Sequence, residues 1–259
     1  MKDNTTLNSS PPATWTDATI TLSNRKRETS AMFRSLGANI WDYEIPIRFG
    51  GLPLWHRMTV IRLINGGLVV HSPTRLDLAS QEEFQKLGPI VAIIAPSWWH
   101  DLYLREYLSA YPDARLYGAP TLVRWNRSLP FAELLDGLAP SLWKNEIDQV
   151  QVQGIGLFLD EIVFYHRRSR SLIVADLLFN LSEKDARITR IMGSLVIGPF
   201  PGCRFARLYR LAVTDRRRMR AAVERILDWD FDQIIVGHGA VVENNGKEVF
   251  RAAFRWLVK

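Results

Sequence analysis

Five side chains of the kinds that bind metal ions or transfer protons stand at the ends of apolar runs, or just beyond them, in this 259-residue sequence. The clearest are an aspartate directly after a four-residue apolar run and a histidine between two glycines. Imidazole nitrogens and carboxylate oxygens are ligands that suit Zn, Fe or Mn. The pattern therefore predicts a polar site with metal-binding capacity, formed by His71, His100, Asp101, Asp176 and His238.

Each of these side chains also has a structural explanation. His71 could bond a neighbouring strand, and His100 could begin a helix. Asp101 could stabilise that helix through its dipole, and Asp176 could accept backbone N–H groups. The glycines beside His238 permit close backbone approach and positive φ, which favours a functional role for this histidine.

Two further histidines are not assigned to the site. His166 lies inside a predicted strand beside two arginines, and we expect it to face the surface or a partner. His56 lies outside every predicted element.

Apolar periodicity predicts strands and helices that alternate along the chain. Asn65-Gly66-Gly67 between two β-branched runs is a strong hairpin signal. The region from Thr121 to Asn145 is ambiguous and is expected to hold one short helix. The predicted helices are Asp77–Leu87, His100–Tyr111, Asp215–Leu227 and Glu248–Val258. The predicted strands are Ile40–Pro46 at a sheet edge, Met58–Ile64, Leu68–His71, Ile90–Ala95, Arg115–Tyr117, Ile147–Val152, Ile162–His166, Leu172–Ala175 and Phe231–Val236.

Such an order indicates sheets covered by helices, in which ligand sites gather at strand ends. Residues 1–35 are rich in Ser, Thr and Asn and lack an apolar period, which predicts a disordered tail before a single domain at 36–259. We expect neither a secretory signal nor a membrane span, because no apolar run is long enough for either. We expect a cytoplasmic protein, with organelle import through the tail left open by its Ser/Thr content and Arg25-Lys26-Arg27.

Positive charge is concentrated near the carboxyl end. The chain has a net charge of +6, and the segment from Arg204 to Arg225 alone holds eight arginines against Asp215 and Glu224. A basic segment can attract phosphates, nucleic acid or anionic lipid, and it can also be a solvated helix face. Nucleic acid is not the favoured partner, because few aromatic residues interleave with these arginines.

The chain from Ile40 onward resembles the metallo-β-lactamase superfamily, and most of all an uncharacterised, divergent branch of it. The segments that carry the resemblance are Val69–Pro73, Ile93–Asp101, Leu172–Phe179 and Ile234–Gly239. The resemblance implies a mixed α/β fold, an αββα four-layer sandwich of two sheets.

The resemblance also implies where metal ligands are expected. Active members carry H-x-H-x-D-H after the strand that corresponds to Ile90–Ala95, whereas this chain has Pro-Ser-Trp-Trp-His-Asp. His100 and Asp101 would replace the Asp-His pair in inverted order, Asp176 matches the bridging aspartate, and His238 matches the last histidine. Another histidine is expected before Asp176, and the segment from Val150 to Asp160 contains none. Catalytic zinc keeps at least three protein ligands, so we expect a depleted site with no metal or at most one Zn or Fe ion.

Two functions remain open at this point. The first is a mononuclear metal-dependent hydrolase of an ester or phosphoester, with Asp176 as ligand or general base. The second is a non-catalytic module that binds a small molecule or a partner. His71, Trp98 and Trp99 are the predicted substrate-binding residues, although the tryptophans could equally pack in the core. The oligomeric state is open.

Overall fold

The computed structural model describes residues 33–156 and 160–258, which form two sheets with helices on the outer face of each. The first sheet has its strands in chain order: β1 (Arg34–Gly37), β2 (Ile40–Phe49), β3 (Leu52–Arg62), β4 (Leu68–His71), β5 (Ile90–Ala95), β6 (Arg115–Gly118) and β7 (Phe131–Leu134). The second has the order β11–β10–β9–β8, formed by β8 (Ile147–Val152), β9 (Glu161–His166), β10 (Ser171–Val174) and β11 (Gln233–Val236). The helices are α1 (Leu78–Leu87), α2 (Leu104–Ala110), α3 (Pro120–Trp125), α4 (Arg187–Val196), α5 (Arg207–Leu211), α6 (Arg216–Leu227) and α7 (Gly246–Ala253).

Alternation of side chains along the strands produces the layers. Successive residues of a strand point to opposite faces. In the first sheet, Val69 and Ile94 face the second sheet, while their neighbours Val70 and Ile93 face helices. In the second sheet, Ile173 lies between the sheets. These strands are apolar on both faces because both faces are covered.

Helices close the two outer faces. Phe84 of α1 and Tyr107 of α2 pack on the first sheet, and Val223 of α6 and Phe250 of α7 pack on the second. The order of layers is therefore helix, sheet, sheet, helix, and the predicted αββα sandwich is confirmed.

Several local predictions are also confirmed. The helices predicted over Asp77–Leu87 and Asp215–Leu227 are present as α1 and α6. Asp77 caps α1 and forms a capping box with Ser80, and Asp215 caps α6 by accepting from two backbone N–H groups. The Asn-Gly-Gly segment joins β3 and β4 as a hairpin, with Gly66 at φ +87°.

The amino-terminal part of the first sheet differs from the prediction. Ile40 does not begin an edge strand, because β2 pairs with β1 on one side and with β3 on the other. β3 begins at Leu52 rather than Met58. Most of the predicted tail, residues 1–32, lies outside the described residues. Arg34, the second of the described residues, is in β1, and its guanidinium pairs with Asp42.

Helix ends were the other source of error. α2 begins at Leu104 instead of His100, and α7 ends at Ala253 instead of Val258. The ambiguous region holds the expected short helix, α3, and also the strand β7. α4 and α5 were not predicted. None of the helices in the described residues is long and apolar enough to cross a membrane.

Replacement of Ile173 by alanine tests the core between the sheets. The side chain is 1% exposed, and loss of its methyl and methylene groups should leave a cavity that costs about 2–5 kcal/mol of unfolding free energy. Urea denaturation measures the change. The matched control is Ile64→Ala, at a side chain that is 78% exposed, where the expected change is within about 0.5 kcal/mol. Equal effects at the two positions would contradict the assigned core.

Candidate metal site

The candidate site forms where the carboxyl ends of parallel strands from both sheets meet. β4 and β5 are parallel neighbours in the first sheet, and β10 and β11 are parallel neighbours in the second. The loops that follow parallel strands emerge at the same edge of a sheet. His100 follows β5, whereas Asp176 and His238 follow β10 and β11. Residues distant in sequence therefore share one crevice.

Three buried histidines form the centre of this crevice. His56, His100 and His238 each offer a ring nitrogen, and these nitrogens all lie within 4.8 Å of one another. The rings are separated by 5.0 Å (His56–His100), 5.5 Å (His100–His238) and 6.0 Å (His56–His238) between centroids. The three side chains are almost completely excluded from solvent. Such a group of imidazoles can hold a metal ion.

The Asp176 carboxylate lies between two of these imidazoles. Its Oδ2 is 3.2 Å from His100 Nε2, and its Oδ1 is 3.3 Å from His238 Nε2. The Ser97 hydroxyl donates a hydrogen bond to Oδ2 at 3.1 Å. Asp176, His100 and His238 are thus brought together by contacts across the two sheets.

The contact between His238 and Asp176 requires a cation. His238 Nδ1 is 2.7 Å from the Trp55 carbonyl oxygen, which can only accept, so Nδ1 carries a hydrogen. In a neutral ring Nε2 then has a lone pair, yet it faces a carboxylate oxygen. Because the pKa of Asp176 is held below its usual range by the two imidazoles, its carboxyl group is ionised, and two acceptors at this distance need a proton on Nε2 or a metal ion between them.

The spacing of the donors suits one ion. Two ligands of a tetrahedral zinc, each at 2.0–2.1 Å, lie about 3.3 Å apart. The two separations between the Asp176 oxygens and the imidazoles, 3.2 and 3.3 Å, match this value. Histidine nitrogens at the upper limit of 4.8 Å would need to approach by about 1.5 Å to reach the spacing of about 3.3 Å between tetrahedral ligands. Donor types therefore suit a single metal ion, and the imidazoles would draw together around it.

Burial and neighbouring charges set the protonation states. Burial alone would raise the pKa of Asp176, but His100 and His238 outweigh it and hold that pKa below its usual range. Burial lowers the pKa of His238, and the contact with Asp176 outweighs it, so the pKa is raised. Burial, then the charges of His100 and His238, keep the pKa of His56 well below its ordinary value. His56 is therefore neutral, as a metal ligand must be.

Further contacts orient the imidazole rings. The Ser72 hydroxyl forms a hydrogen bond with His100 Nδ1, and Ser72 has a positive φ of 56°. The Pro73 carbonyl oxygen lies 3.2 Å from His56 Nε2 and accepts its hydrogen, which leaves the lone pair of the neutral ring on Nδ1. Partners of this kind fix the tautomer and direction of a ligand ring.

Arg57 ties the loop of His238 to the first sheet. Its backbone N–H donates to the Gly237 carbonyl at 3.0 Å, and its guanidinium donates to the Gly239 carbonyl at 2.7 Å and to the Val236 carbonyl. The guanidinium is 2% exposed and pairs with Asp42 at 2.8 Å. Arg57 therefore positions His238 without touching it.

Glu161 holds the backbone at Asp176 from the other side. Its two carboxylate oxygens accept the N–H groups of Ala175 and Asp176, each at 2.7 Å. Burial, followed by the charge of Asp176, raises the pKa of Glu161 to about 8. A second buried carboxyl group therefore holds the backbone at Asp176.

Asp101, one of the predicted metal ligands, is not among the residues whose donor atoms meet at the centre of the crevice. Its carboxyl group is a hydrogen-bond partner of Asn126, just past the end of α3, and burial raises its pKa. The neighbouring tryptophans also contact other aromatic rings. Trp98 lies against Trp125 with centroids 6.2 Å apart, and Trp99 lies against Phe49 at 5.4 Å.

His71 is buried between the sheets and is likewise not a member of the group. It packs edge-on against Phe164 at 5.4 Å, and its ring nitrogens have no hydrogen-bond partner in another described residue. Burial, then the charge of His100, lowers its pKa to about 3. A hydrogen bond to a neighbouring strand, the structural explanation considered above, is not formed by this ring.

His56 is the functional candidate that the sequence analysis missed. The predicted strand began two residues after it, so the histidine had no assigned face. One signal was available, because His56, Met58 and Val60 follow the two-residue period of a strand. The resemblance to the metallo-β-lactamase superfamily implies no metal ligand on this strand.

The expectation for His166 is wrong. Its side chain is 1% exposed instead of facing the surface, and Nδ1 bonds the Ser169 hydroxyl at 2.7 Å. Burial lowers its pKa to about 4. This residue is a buried histidine remote from the group of three.

Replacement of Arg57 by methionine tests the link between β3 and the loop of His238. The change removes one of the two arginines that pair with the Asp42 carboxylate. It also removes the hydrogen-bond donors to the carbonyl oxygens of Val236 and Gly239. We expect a loss of about 3–5 kcal/mol in unfolding free energy, measured by urea denaturation. Arg62→Met, on the exposed end of the same strand, should cost at most about 0.5 kcal/mol. Similar losses in both variants would refute the positioning role.

Replacement of Glu161 by glutamine tests the support of Asp176. The amide nitrogen of glutamine is a donor and would face the backbone N–H of Ala175 or Asp176. That N–H would lose its acceptor, which should lower the unfolding free energy by about 1–3 kcal/mol. Urea denaturation again gives the difference. Glu133→Gln, at an exposed glutamate of β7, is the matched control and should be neutral. An unchanged stability of the Glu161 variant would contradict the dual hydrogen bond.

Solved structures with the same fold are numerous among metallo-β-lactamases. The DIM-1 metallo-β-lactamase exposed to ceftazidime superposes with a TM-score of 0.61 at 14% identity, covering 89% of this chain and 99% of the other. The enzyme from Hirschia baltica gives 0.57 at 15% identity, with 86% and 95% covered. The metal-soaked Flv1 flavodiiron core from Synechocystis sp. PCC6803 gives 0.59 at 11% identity, with 88% and 60% covered. These likenesses establish the fold of the chain.

Sequence comparison gives the family. No curated protein matches this chain. Residues 38–198 match the family described as "Domain of unknown function (DUF4336)", and that match spans more than half of the sequence. The protein therefore belongs to the DUF4336 family and has the fold of a metallo-β-lactamase.

Proposed function

We propose that this protein is a mononuclear metal-dependent hydrolase whose zinc or iron ion is held by His56, His100 and His238, with Asp176 as the fourth donor. The observation that carries the proposal is the group of three buried imidazoles with ring nitrogens within 4.8 Å of one another. They come from three separate elements of both sheets, and packing of apolar residues alone would not require them to converge. Asp101 is not part of the proposed donor set.

The chemistry follows from the donor types. When bound, such an ion is a Lewis acid that activates water for hydrolysis of an ester or phosphoester. His56, His100 and His238 would supply the three protein ligands of a catalytic zinc site, and Asp176 would add a fourth donor beside them. Ser72 and the Trp55 carbonyl oxygen direct the rings of His100 and His238. The residues of the chain thus supply binding and orientation.

The pKa of Asp176 supports a ligand role. A general base works best when its pKa is near the working pH. The pKa of Asp176 lies below its usual range, so the carboxylate stays ionised and is a weak base. A stable negative charge between two imidazoles suits metal binding better than proton abstraction, and the proposal therefore assigns Asp176 to the ion.

Metal analysis of the purified protein tests the first part of the proposal. After loading with zinc or iron and removal of excess ion, we expect about one equivalent per chain. His238→Ala should lose most of it, because one of the buried donors is gone. His166→Gln is the control, since it alters a buried histidine outside the group, and it should retain the ion. Less than about 0.2 equivalents in the parent, unchanged in the His238 variant, would contradict the site.

Turnover separates the hydrolase from a binding module on the same fold. The loaded protein, the His238→Ala variant and the His166→Gln control are assayed on nitrophenyl esters, thioesters and phosphodiesters. Hydrolysis that is lost only in the His238 variant supports the hydrolase. A protein that keeps its metal but turns over none of these compounds would instead favour the non-catalytic module.

A further inference from the structure

Helix α4 has its apolar side turned toward solvent. Its buried residues are Thr189 and Gly193, whereas the large apolar residues are exposed. A core-facing helix has the opposite arrangement. The exposed residues follow the spacing of one helix face, and they are Ile188 (50%), Ile191 (51%), Met192 (38%) and Leu195 (69%).

Contacts on the buried side set this orientation. The Thr189 hydroxyl donates to the Pro53 carbonyl oxygen at 2.5 Å. Gly193 lies so close to Leu181 that a Cβ at this position would be 2.4 Å from its Cδ1. A rotation of α4 that buried its apolar side would remove the first contact and place a larger side chain against Leu181. The exposure of the apolar face is therefore built into the packing.

Helix α5 starts next to the end of α4, because the Arg207 N–H donates to the Ile197 carbonyl oxygen at 3.2 Å, and it also exposes apolar residues. Leu208 is 56% exposed and Leu211 is 85% exposed, and the two are three residues apart on the helix. We call the exposed apolar residues of α4 and α5 the α4–α5 surface. Exposed apolar residues gathered in this way are typical of an interaction site.

The charge of the same segment is entirely positive. From Ala186 to Ala212 the sequence contains five arginines and no aspartate or glutamate. Arg187 and Arg190 belong to α4, and Arg207 and Arg210 belong to α5. Apolar residues flanked by arginines are the composition of segments that lie in the interface of an anionic membrane.

A cleft next to this surface is suited to phosphate groups. It has a volume of about 210 Å³ and begins at Ile197, immediately after α4. Four arginines and Trp256 line it, and the Arg210 guanidinium lies over the Trp256 ring at 4.6 Å from its centroid. No carboxylate is among the described lining residues, which include Arg204, Arg207, Arg210 and Arg255. Guanidinium groups bind phosphate oxygens with two parallel hydrogen bonds.

We propose that the α4–α5 surface binds the face of a membrane that contains anionic phospholipids. The apolar side chains enter the acyl boundary, and the arginines of the cleft and of both helices bind lipid phosphates. A second copy of the chain is a poorer occupant, because a two-fold contact would place the arginines of both copies against each other. This inference is independent of the metal site.

Vesicle sedimentation with the full chain tests the proposal. We expect binding to phosphatidylcholine vesicles that contain phosphatidylglycerol, no binding to phosphatidylcholine alone, and weaker binding at high salt because the charges are screened. The double variant Ile191→Glu, Leu195→Glu should reduce binding at least about tenfold. The double variant Arg207→Ala, Arg210→Ala should also reduce it.

Matched controls lie elsewhere on the surface. Leu138→Glu changes an apolar side chain that is 75% exposed, and Arg168→Ala removes an exposed arginine from the turn after β9. Both should bind vesicles as the parent does. Circular dichroism and urea denaturation show whether the variants remain folded.

Three results would overturn the proposal. The first is no binding of the full chain to anionic vesicles at low salt. The second is binding that the arginine variant loses, the apolar variant retains and inorganic phosphate competes away, which would indicate a site for free anions. The third is self-association that the apolar variant abolishes, without any vesicle binding, which would indicate a contact between copies of the chain.

Discussion

The carboxylate of Asp176, held between two imidazoles from different sheets, is the interaction on which the arrangement of the site depends. A buried carboxylate is costly unless charge and hydrogen bonds compensate for it. His100 approaches one oxygen and His238 the other, and the Ser97 hydroxyl adds a donor. Because His100 follows a strand of the first sheet and His238 a strand of the second, compensation of this single charge joins the two halves of the sandwich.

Two side chains outside the group of three histidines keep this contact in place. Arg57 spans from the first sheet to the carbonyl groups around His238, and Glu161 accepts the backbone N–H groups that lead into Asp176. Both are buried ionisable side chains. Burial of such a group is costly unless hydrogen bonds and opposite charges surround it, as they do here. The network explains how loops, which are usually mobile, can present side chains at fixed separations.

The fold alone does not specify the chemistry. The sandwich is the one found in metallo-β-lactamases, yet the ligand motif implied by the resemblance is replaced here by Pro96–Asp101, and His56 reaches the site from β3. On another part of the molecule, α4 presents isoleucine, methionine and leucine to solvent beside arginines. The site and this surface use different residues, so one can change without the other.

The sequence by itself determined most elements, because strand and helix periods and turns such as Asn65-Gly66-Gly67 are local properties of the chain. Its resemblance to a known superfamily implied the four layers. It also singled out Asp176 and His238, which follow strands ending at a common edge. Only the tertiary structure separated Asp101 from the donors and added His56, since the direction of a side chain depends on strand register and on loop contacts. It alone decided that His166 is buried and that the apolar face of α4 is exposed, because burial is set by what packs against an element and not by its own residues.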